Sequence, residues 1–262
     1  MSDSVLYDVA DAVATVTLNR PEAMNSLNTE TKEALRDAVL RAADDPGVRA
    51  VILAGNGRAF CVGQDLKEHI DNLQGDPQAV WDTVPEHYNP IALALATMPK
   101  PVVAAVNGVA AGAGASFAFA CDFRVVAETA GFNLAFTAVG LAADSGASWT
   151  LPRLVGYARA TDLLMRPTTI KAPDALALGL ATEVVPAEAV LTRARELATE
   201  LAAGPTVAFA TVKASLAYAA THDVAESLAF EHEMQNRAGS TEDHLAAVTA
   251  FVAKEKPVFK GR

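Results

Sequence analysis

The chain has 262 residues, 51% of them apolar and 20% charged, with a formal net charge of −10. That length supports a substantial core, and the apolar share excludes an intrinsically disordered chain. The acidic balance argues against a nonspecific nucleic-acid binder, which needs a dense Lys/Arg surface, yet leaves room for an anionic small ligand on a local patch.

The first residues, MSDSVLYDV, hold neither a basic stretch nor an apolar core of signal-peptide type, so a cytoplasmic protein is expected. DAVATVTLN (11–19) alternates and is β-branched, which predicts a strand in a hairpin with Val5–Val9. NRPEAMNSLN then reads as a loop, with Asn28 as N-cap of a helix over TETKEALRDAVLRAADD and Leu35 and Val39 on its apolar face. A turn and a buried strand follow in DPGVRAVILAG. Residues 67–90 are polar and carry Gly75, Pro77, Pro85 and Pro90, which predicts a mobile excursion beside a site.

Pro101–Cys121 runs without a charge, long enough to meet the criterion of about 20 residues for a membrane span. Its internal Asn107 and glycines 108, 112 and 114 fit a buried strand at 101–108 turning into a small-residue helix near Ala113–Cys121, with a further strand at 122–128. Repeated strand and helix signals with Val/Ile-rich runs predict an α/β chain with largely parallel strands. From about Ala187 the pattern turns helical, over 187–202, 205–220, 223–236 and 241–253, and ends in the basic tail KEKPVFKGR. Cys61 and Cys121 belong to no metal-binding spacing and read as reduced core thiols, so no metal is expected.

Chemistry is concentrated at two strand–loop–helix junctions, VILAGNGRAFCVGQDLKE (51–68) and VVAAVNGVAAGAGASFAFACD (102–122). Small residues let backbone N–H groups approach a ligand, and helix N-termini leave such groups unpaired. Two such junctions side by side can aim two donors at one oxygen, as in an oxyanion hole; close packing of strand on helix explains the same residues without any ligand. GVAAGAG is not a dinucleotide-binding fingerprint, and GNGRAFC lacks the end of a phosphate loop. GASFA resembles a nucleophile elbow around Ser116 but ends in Ala118.

Asp144 lies in a Gly/Ala/Ser loop amid apolar sequence. It reads either as a general base with a burial-raised pKa or as N-cap of a helix beginning at Ser145. Asp65, ahead of LKEHI, reads as a cap. Of the five histidines, His69 and His87 are candidates to line a pocket, while His222 and His232 fall on charged helical stretches.

Taken in order, LNRPEAMNSLN, GRAFCVGQDL, KPVVAAVNGVAAGAGASFAFACD, VGLAADSGASWTLPRLVG, ALALGLATEVV and the tail VFKGR resemble the crotonase (enoyl-CoA hydratase/isomerase) superfamily over essentially the whole chain. The resemblance implies a crotonase-like spiral of ββα units. It would comprise a core over 1–200 carrying an acyl-CoA site and a C-terminal helical oligomerisation region over 201–262, assembled as a homotrimer or dimer of trimers.

By position, the oxyanion donors are the N–H groups of Gln64 and Ala113. Coenzyme A, part of the substrate rather than a cofactor, is expected along Ala23–Met24 and along Gln64, Asp65, Leu66 and Lys67. Phe259 and Lys260 are expected to approach a neighbouring subunit's coenzyme A.

The two glutamates of the family's hydratases are replaced here by Ser116 and Phe136, expected as pocket wall. Asp144 matches the catalytic aspartate of the dienoyl-CoA and ring-1,2-epoxyphenylacetyl-CoA isomerases, and FCVGQDL, AGAGAS and DSGASWTLPRLVGYARA look most like the second subgroup. The expectation is therefore an acyl-CoA isomerase with a single aspartate base. A hydratase drawing a carboxylate from Glu68 or Glu86 is one alternative. A noncatalytic acyl-CoA-binding or RNA-associated protein is another, and the acidic charge weighs against its RNA version. Neither nucleic acid nor membrane is an expected partner.

Overall fold

A computed structural model describes residues 3–75 and 79–262; Met1, Ser2 and Pro77, on which parts of the preceding reading fall, lie outside them. Strands β1 (Val5–Ala10) and β2 (Val13–Leu18) form the expected antiparallel hairpin. Its turn residues, Asp11 and Ala12, both have positive φ, the backbone that matches the twist of a two-residue hairpin. Helix α1 (Thr29–Asp44) starts where Asn28 accepts from the Thr31 N–H at 3.0 Å.

After α1 the chain repeats one move. β3 (Ala50–Gly55) lies in a large sheet, a short turn drops the chain into β4 (Ala59–Cys61) of a small sheet, and α2 (Leu66–Gly75) follows. After α3 (Asn89–Thr97), β5 (Val102–Val106), β6 (Val109–Ala111) and α4 (Ala113–Ala120) repeat it. β7 (Phe123–Ala127) and β8 (Gly131–Asn133) begin a third round. Helices α5 (Ala147–Val155) and α6 (Tyr157–Met165) precede β9 (Ile170–Lys171), α7 (Ala172–Ala177) and β10 (Glu183–Val185).

The sheets have the orders β1-β2-β3-β5-β7-β10 and β4-β6-β8-β9. Within them β2-β3-β5-β7-β10 and β4-β6-β8 are parallel, while β1 and β9 pair antiparallel. The result is a spiral of ββα turns. Helices α8 (Val190–Ala202), α9 (Thr206–Ala219), α10 (Val224–Gly239) and α11 (Glu242–Ala253) complete the chain at the expected places.

The uncharged run is explained by burial. Every residue of β5 and of α4 is buried, and among the described residues no helix is long and apolar enough to cross a membrane. The charges that bound it are also sequestered. Lys100, buried at the C-terminal end of α1, donates to the carbonyls of Ala42 and Asp45, where a cation offsets the helix dipole. Asp122 accepts from the Val102 N–H and from Lys213, both at 2.8 Å; burial holds its carboxyl above the usual range despite the Lys213 charge. Cys61 and Cys121 are buried free thiols, and burial pushes each up to about 12.

The described residues of 67–90, expected as an excursion beside a site, fold largely into regular turns. They contain most of α2, a 3-10 turn at Ala79–Asp82 and a π-helical turn at Val84–Tyr88 that runs into α3. Proline is accommodated because Pro85 and Pro90 lie in the first turns of their elements, where no N–H is required.

Candidate active site

Gln64 sits where the first junction leaves β4. Leu27 clamps it in a parallel bridge, the Leu27 N–H donating to Gly63 O at 2.8 Å and the Asp65 N–H to Leu27 O at 3.2 Å. In that pattern the bridged residue's own N–H points to the opposite side, so Gln64 N–H faces away from Leu27. The opposite side is the second junction. There α4 opens at Ala113 behind Gly112 (φ +51), with no side chain capping its first N–H groups.

The two junctions touch backbone to backbone. A Cβ on Gly63 would fall 3.3 Å from the Ala113 nitrogen, and one on Gly114 only 2.3 Å from the Cys61 carbonyl oxygen. No side chain fits at Gly114, and its absence lets α4 start beside Gln64. The close approach of the two junctions thus has its structural origin in these glycines.

Asp144 comes from the loop after β8. It does not cap a helix, because α5 begins at Ala147, later than the expected Ser145, behind Gly146 in the left-handed region (φ +79). Ser145 is also left-handed (φ +52), a conformation that costs a non-glycine residue about 1–2 kcal/mol. The turn closes through the Ala147 N–H on the Asp144 carbonyl, and the carboxylate accepts from Ser145 Oγ at 2.8 Å. Burial raises the Asp144 pKa, and the Ser145 hydrogen bond offsets part of that rise. A carboxylate so placed is a stronger base than a solvated one.

Asp65 does the opposite. Its Oδ1 accepts from the Lys67 N–H at 3.2 Å, the expected cap of α2. Its Oδ2 accepts from both terminal nitrogens of Arg20 and from Ser26 Oγ at 3.1–3.2 Å. Burial alone would raise its pKa; these hydrogen bonds outweigh that and lower it. Asp65 therefore ties the loop after β2 to the first junction. Asn25, wholly buried, adds to that tie by donating to the carbonyls of Asn56, Ala59 and Phe60 at 2.9–3.1 Å.

The remaining expected residues divide by what they can do. Ser116 is buried and donates to its own helix at Gly112 O (3.0 Å), and Phe136 is buried ahead of a 3-10 turn at Thr137–Val139. Ala23 ends a 3-10 turn and Met24 is partly exposed in a left-handed turn, beside the loop that Asp65 anchors. Leu66 and Lys67 open α2 with exposed side chains. In the tail, Phe259 O accepts from Arg49 at 3.1 Å and the Lys260 N–H donates to Asp243 at 2.6 Å, so these residues are fastened to their own chain.

Glu68 is occupied at the α1 N-terminus, accepting from Thr29 at 2.9–3.0 Å, with Lys32 at 3.7 Å. Glu86 is exposed. His69 and His87, the two candidates to line a pocket, border a cavity of about 100 Å³ together with Gln64, Lys32 and Thr83. A larger cavity of about 590 Å³ between α5 and α9 contains none of Gln64, Ala113 or Asp144. Among the described residues no group of three or more His, Cys, Asp or Glu side chains is arranged to hold a metal ion.

Sequence reasoning missed Tyr88. It is 2% exposed, its hydroxyl donates to the Gln64 side-chain carbonyl, and its ring meets Phe117 of α4 edge-on at 6.0 Å.

The model of the enoyl-CoA hydratase/isomerase family matches residues 8–262. The chain belongs to that family. It is 38% identical over 262 residues to the 1,2-epoxyphenylacetyl-CoA isomerase of Escherichia coli, covering all of both chains. It is 40% identical over 263 residues to a Rhodobacter capsulatus protein carrying the name enoyl-CoA hydratase, covering 99% of this chain and 98% of that one. A crystallised protein from Mycobacterium abscessus, with an enoyl-CoA hydratase/isomerase name, superposes with a TM-score of 0.95 at 47% identity. That match covers 98% of this chain and 100% of the other. The ββα spiral is the crotonase fold. Isomerase and hydratase names both occur among these relatives, so the reaction has to be argued from the site.

Proposed function

We propose that this enzyme is an acyl-CoA isomerase that shifts a double bond through an enolate, with Asp144 as its single base. The observation that carries the reading is the state of the carboxylates. Asp144 is basic and free of capping, while Asp65 and Glu68 are consumed by structural bonds. Ser116 and Phe136 supply no second acid.

In this reading the thioester oxygen lies between the N–H groups of Gln64 and Ala113. Asp144 takes the α-proton of a 3-enoyl thioester, and the electron pair of that C–H bond enters a dienolate whose charge rests on the held oxygen. The dienolate is then protonated at the γ carbon by Asp144, leaving the double bond between α and β. Losing one oxyanion donor typically costs about 2.7–4 kcal/mol, so the pair carries much of the rate. Hydration would need an activated water and a separate proton donor to carbon. The same base and oxyanion pair suit an epoxide substrate, as the name of the E. coli relative suggests.

Coenzyme A would arrive as part of the substrate along Ala23–Met24 and Gln64–Lys67, and the proposed steps call on no metal or redox cofactor. The exposed apolar residues of α9–α11, among them Leu216, Leu228, Leu245 and Phe251, support self-association, here proposed as a homotrimer or dimer of trimers. In such an assembly Phe259 and Lys260 would face a neighbour's coenzyme A. Assays of 3-enoyl-CoA isomerisation and 2-enoyl-CoA hydration, each with Asp144→Asn as control, test the proposal. Isomerisation lost in the variant supports it, and robust hydration that survives Asp144→Asn rejects it.

A further inference from the structure

Tyr88 has no role in the reaction as described, yet it is built into the site by an unusual piece of backbone. The Val84–Tyr88 turn is π-helical, closed by the Asn89 N–H on the Val84 carbonyl, five residues back. Such turns are rare and recur at functional sites, because the extra residue per turn re-aims the side chains that follow. Here the turn buries His87 and Tyr88 together.

Three elements of the site converge on Tyr88. Gln64 accepts from its hydroxyl. Phe117, on the helix that opens with Ala113, packs against its ring. α3, which begins at the next residue, rests on the Asp144 turn, since a Cβ on Gly146 would lie 3.7 Å from the Ala92 methyl. The phenol stays protonated, its pKa raised by burial first and then by the negative charge of Asp144, so it is a permanent hydrogen-bond donor. Lys32, also 2% exposed, places its ammonium 5.8 Å from the ring centroid and donates to Thr83 Oγ1, fixing the turn from behind.

We infer that Tyr88 is a positioning residue of the oxyanion hole: its hydroxyl holds the Gln64 side chain so that the Gln64 peptide N–H stays aimed at the thioester oxygen. Leu27 fixes that peptide through its backbone; Tyr88 fixes the same residue through its side chain. The inference rests on the enolate reading above, but it does not depend on whether the enolate leads to isomerisation or hydration.

The test uses Tyr88→Phe, Gln64→Ala and the double variant. Gln64→Ala keeps the peptide N–H and removes only the acceptor of the Tyr88 hydroxyl. Loss of one neutral hydrogen bond predicts a kcat about tenfold lower in each single variant, with KM changed less than about twofold. The double variant is expected to be no worse than either single, because both remove the same contact. A second readout is the infrared shift of the thioester carbonyl of bound butyryl-CoA, which is unreactive toward double-bond migration. The shift should be large in the wild-type protein and reduced equally in all three variants.

Losses that multiply in the double variant, or a Tyr88→Phe protein with wild-type kcat and carbonyl shift, overturn the inference alone. A wild-type protein that binds butyryl-CoA without polarising its carbonyl overturns the oxyanion reading and the inference with it.

Discussion

Asp65 and Asp144 stand in similar sequence surroundings, each in a small-residue loop just ahead of a helix, and the structure gives them opposite chemistry. Asp65 caps α2, pairs with Arg20 and has a lowered pKa. Asp144 caps nothing, is bonded by Ser145 and has a raised pKa. The difference lies in where each helix starts. The chain enters α2 immediately after Asp65, so its carboxylate reaches the free N–H of Lys67. After Asp144 two left-handed residues intervene, and the carboxylate is carried off the axis of α5. A cap stabilises a helix; a carboxylate withheld from one is left available for proton transfer.

Substitutions at these positions sharpen the contrast. The largest effect is expected for Asp144→Asn, which should lower kcat for isomerisation by about 10²–10⁴-fold, the usual contribution of a general base. Steady-state kinetics on a 3-enoyl-CoA reads this directly. Asp65→Ala should cost about 2 kcal/mol of folding stability in urea denaturation, from a lost cap and a stranded Arg20. Its thermodynamic sign follows from its lowered pKa. Asp65 stabilises the fold above its unfolded-state pKa, and that stabilisation is lost as pH falls through the folded-state value.

Asp144 has the reverse sign. The folded protein binds its proton more tightly than the unfolded chain does, so ionised Asp144 destabilises the fold at neutral pH; the cost shrinks as pH falls through the folded-state pKa and is gone below the unfolded-state value. Asp144→Asn should therefore stabilise the protein by about 0.5–2 kcal/mol while lowering activity as above, the trade-off expected of a strained functional group. A raised Tm in thermal unfolding at neutral pH checks it; a lowered Tm assigns the carboxylate a structural role. The smallest effect is expected for Ser145→Ala. Removing the hydrogen bond that favours the carboxylate should move the acid limb of the kcat/KM profile to higher pH, read from the pH dependence of the steady-state rate.

The same pair shows what could be read before the structure. The Asn28 and Asp65 caps follow from local chemistry, a short polar side chain ahead of an apolar period, and they stand where that chemistry puts them. The junctions were legible as runs of small residues, and their contact is explained by Gly114 against Cys61.

The role of Asp144 was ambiguous because no local rule puts Ser145 in the left-handed region. That choice is tertiary, set by α3 packed against Gly146 and by the burial of Ser145 itself. Tyr88 was hidden for a related reason. A π-turn breaks the 3.6-residue period, and the prolines around it read as an excursion rather than as a helical turn that buries Tyr88.

The central claim, one base moving one proton between two carbons above a fixed oxyanion, is tested most directly by isotope transfer. An α-deuterated 3-enoyl-CoA should yield 2-enoyl-CoA carrying part of its deuterium at the γ carbon, detected by mass spectrometry and deuterium NMR, and the reaction should be lost in Asp144→Asn. Product with only solvent hydrogen at the γ carbon, formed at a rate that survives Asp144→Asn, would contradict the account.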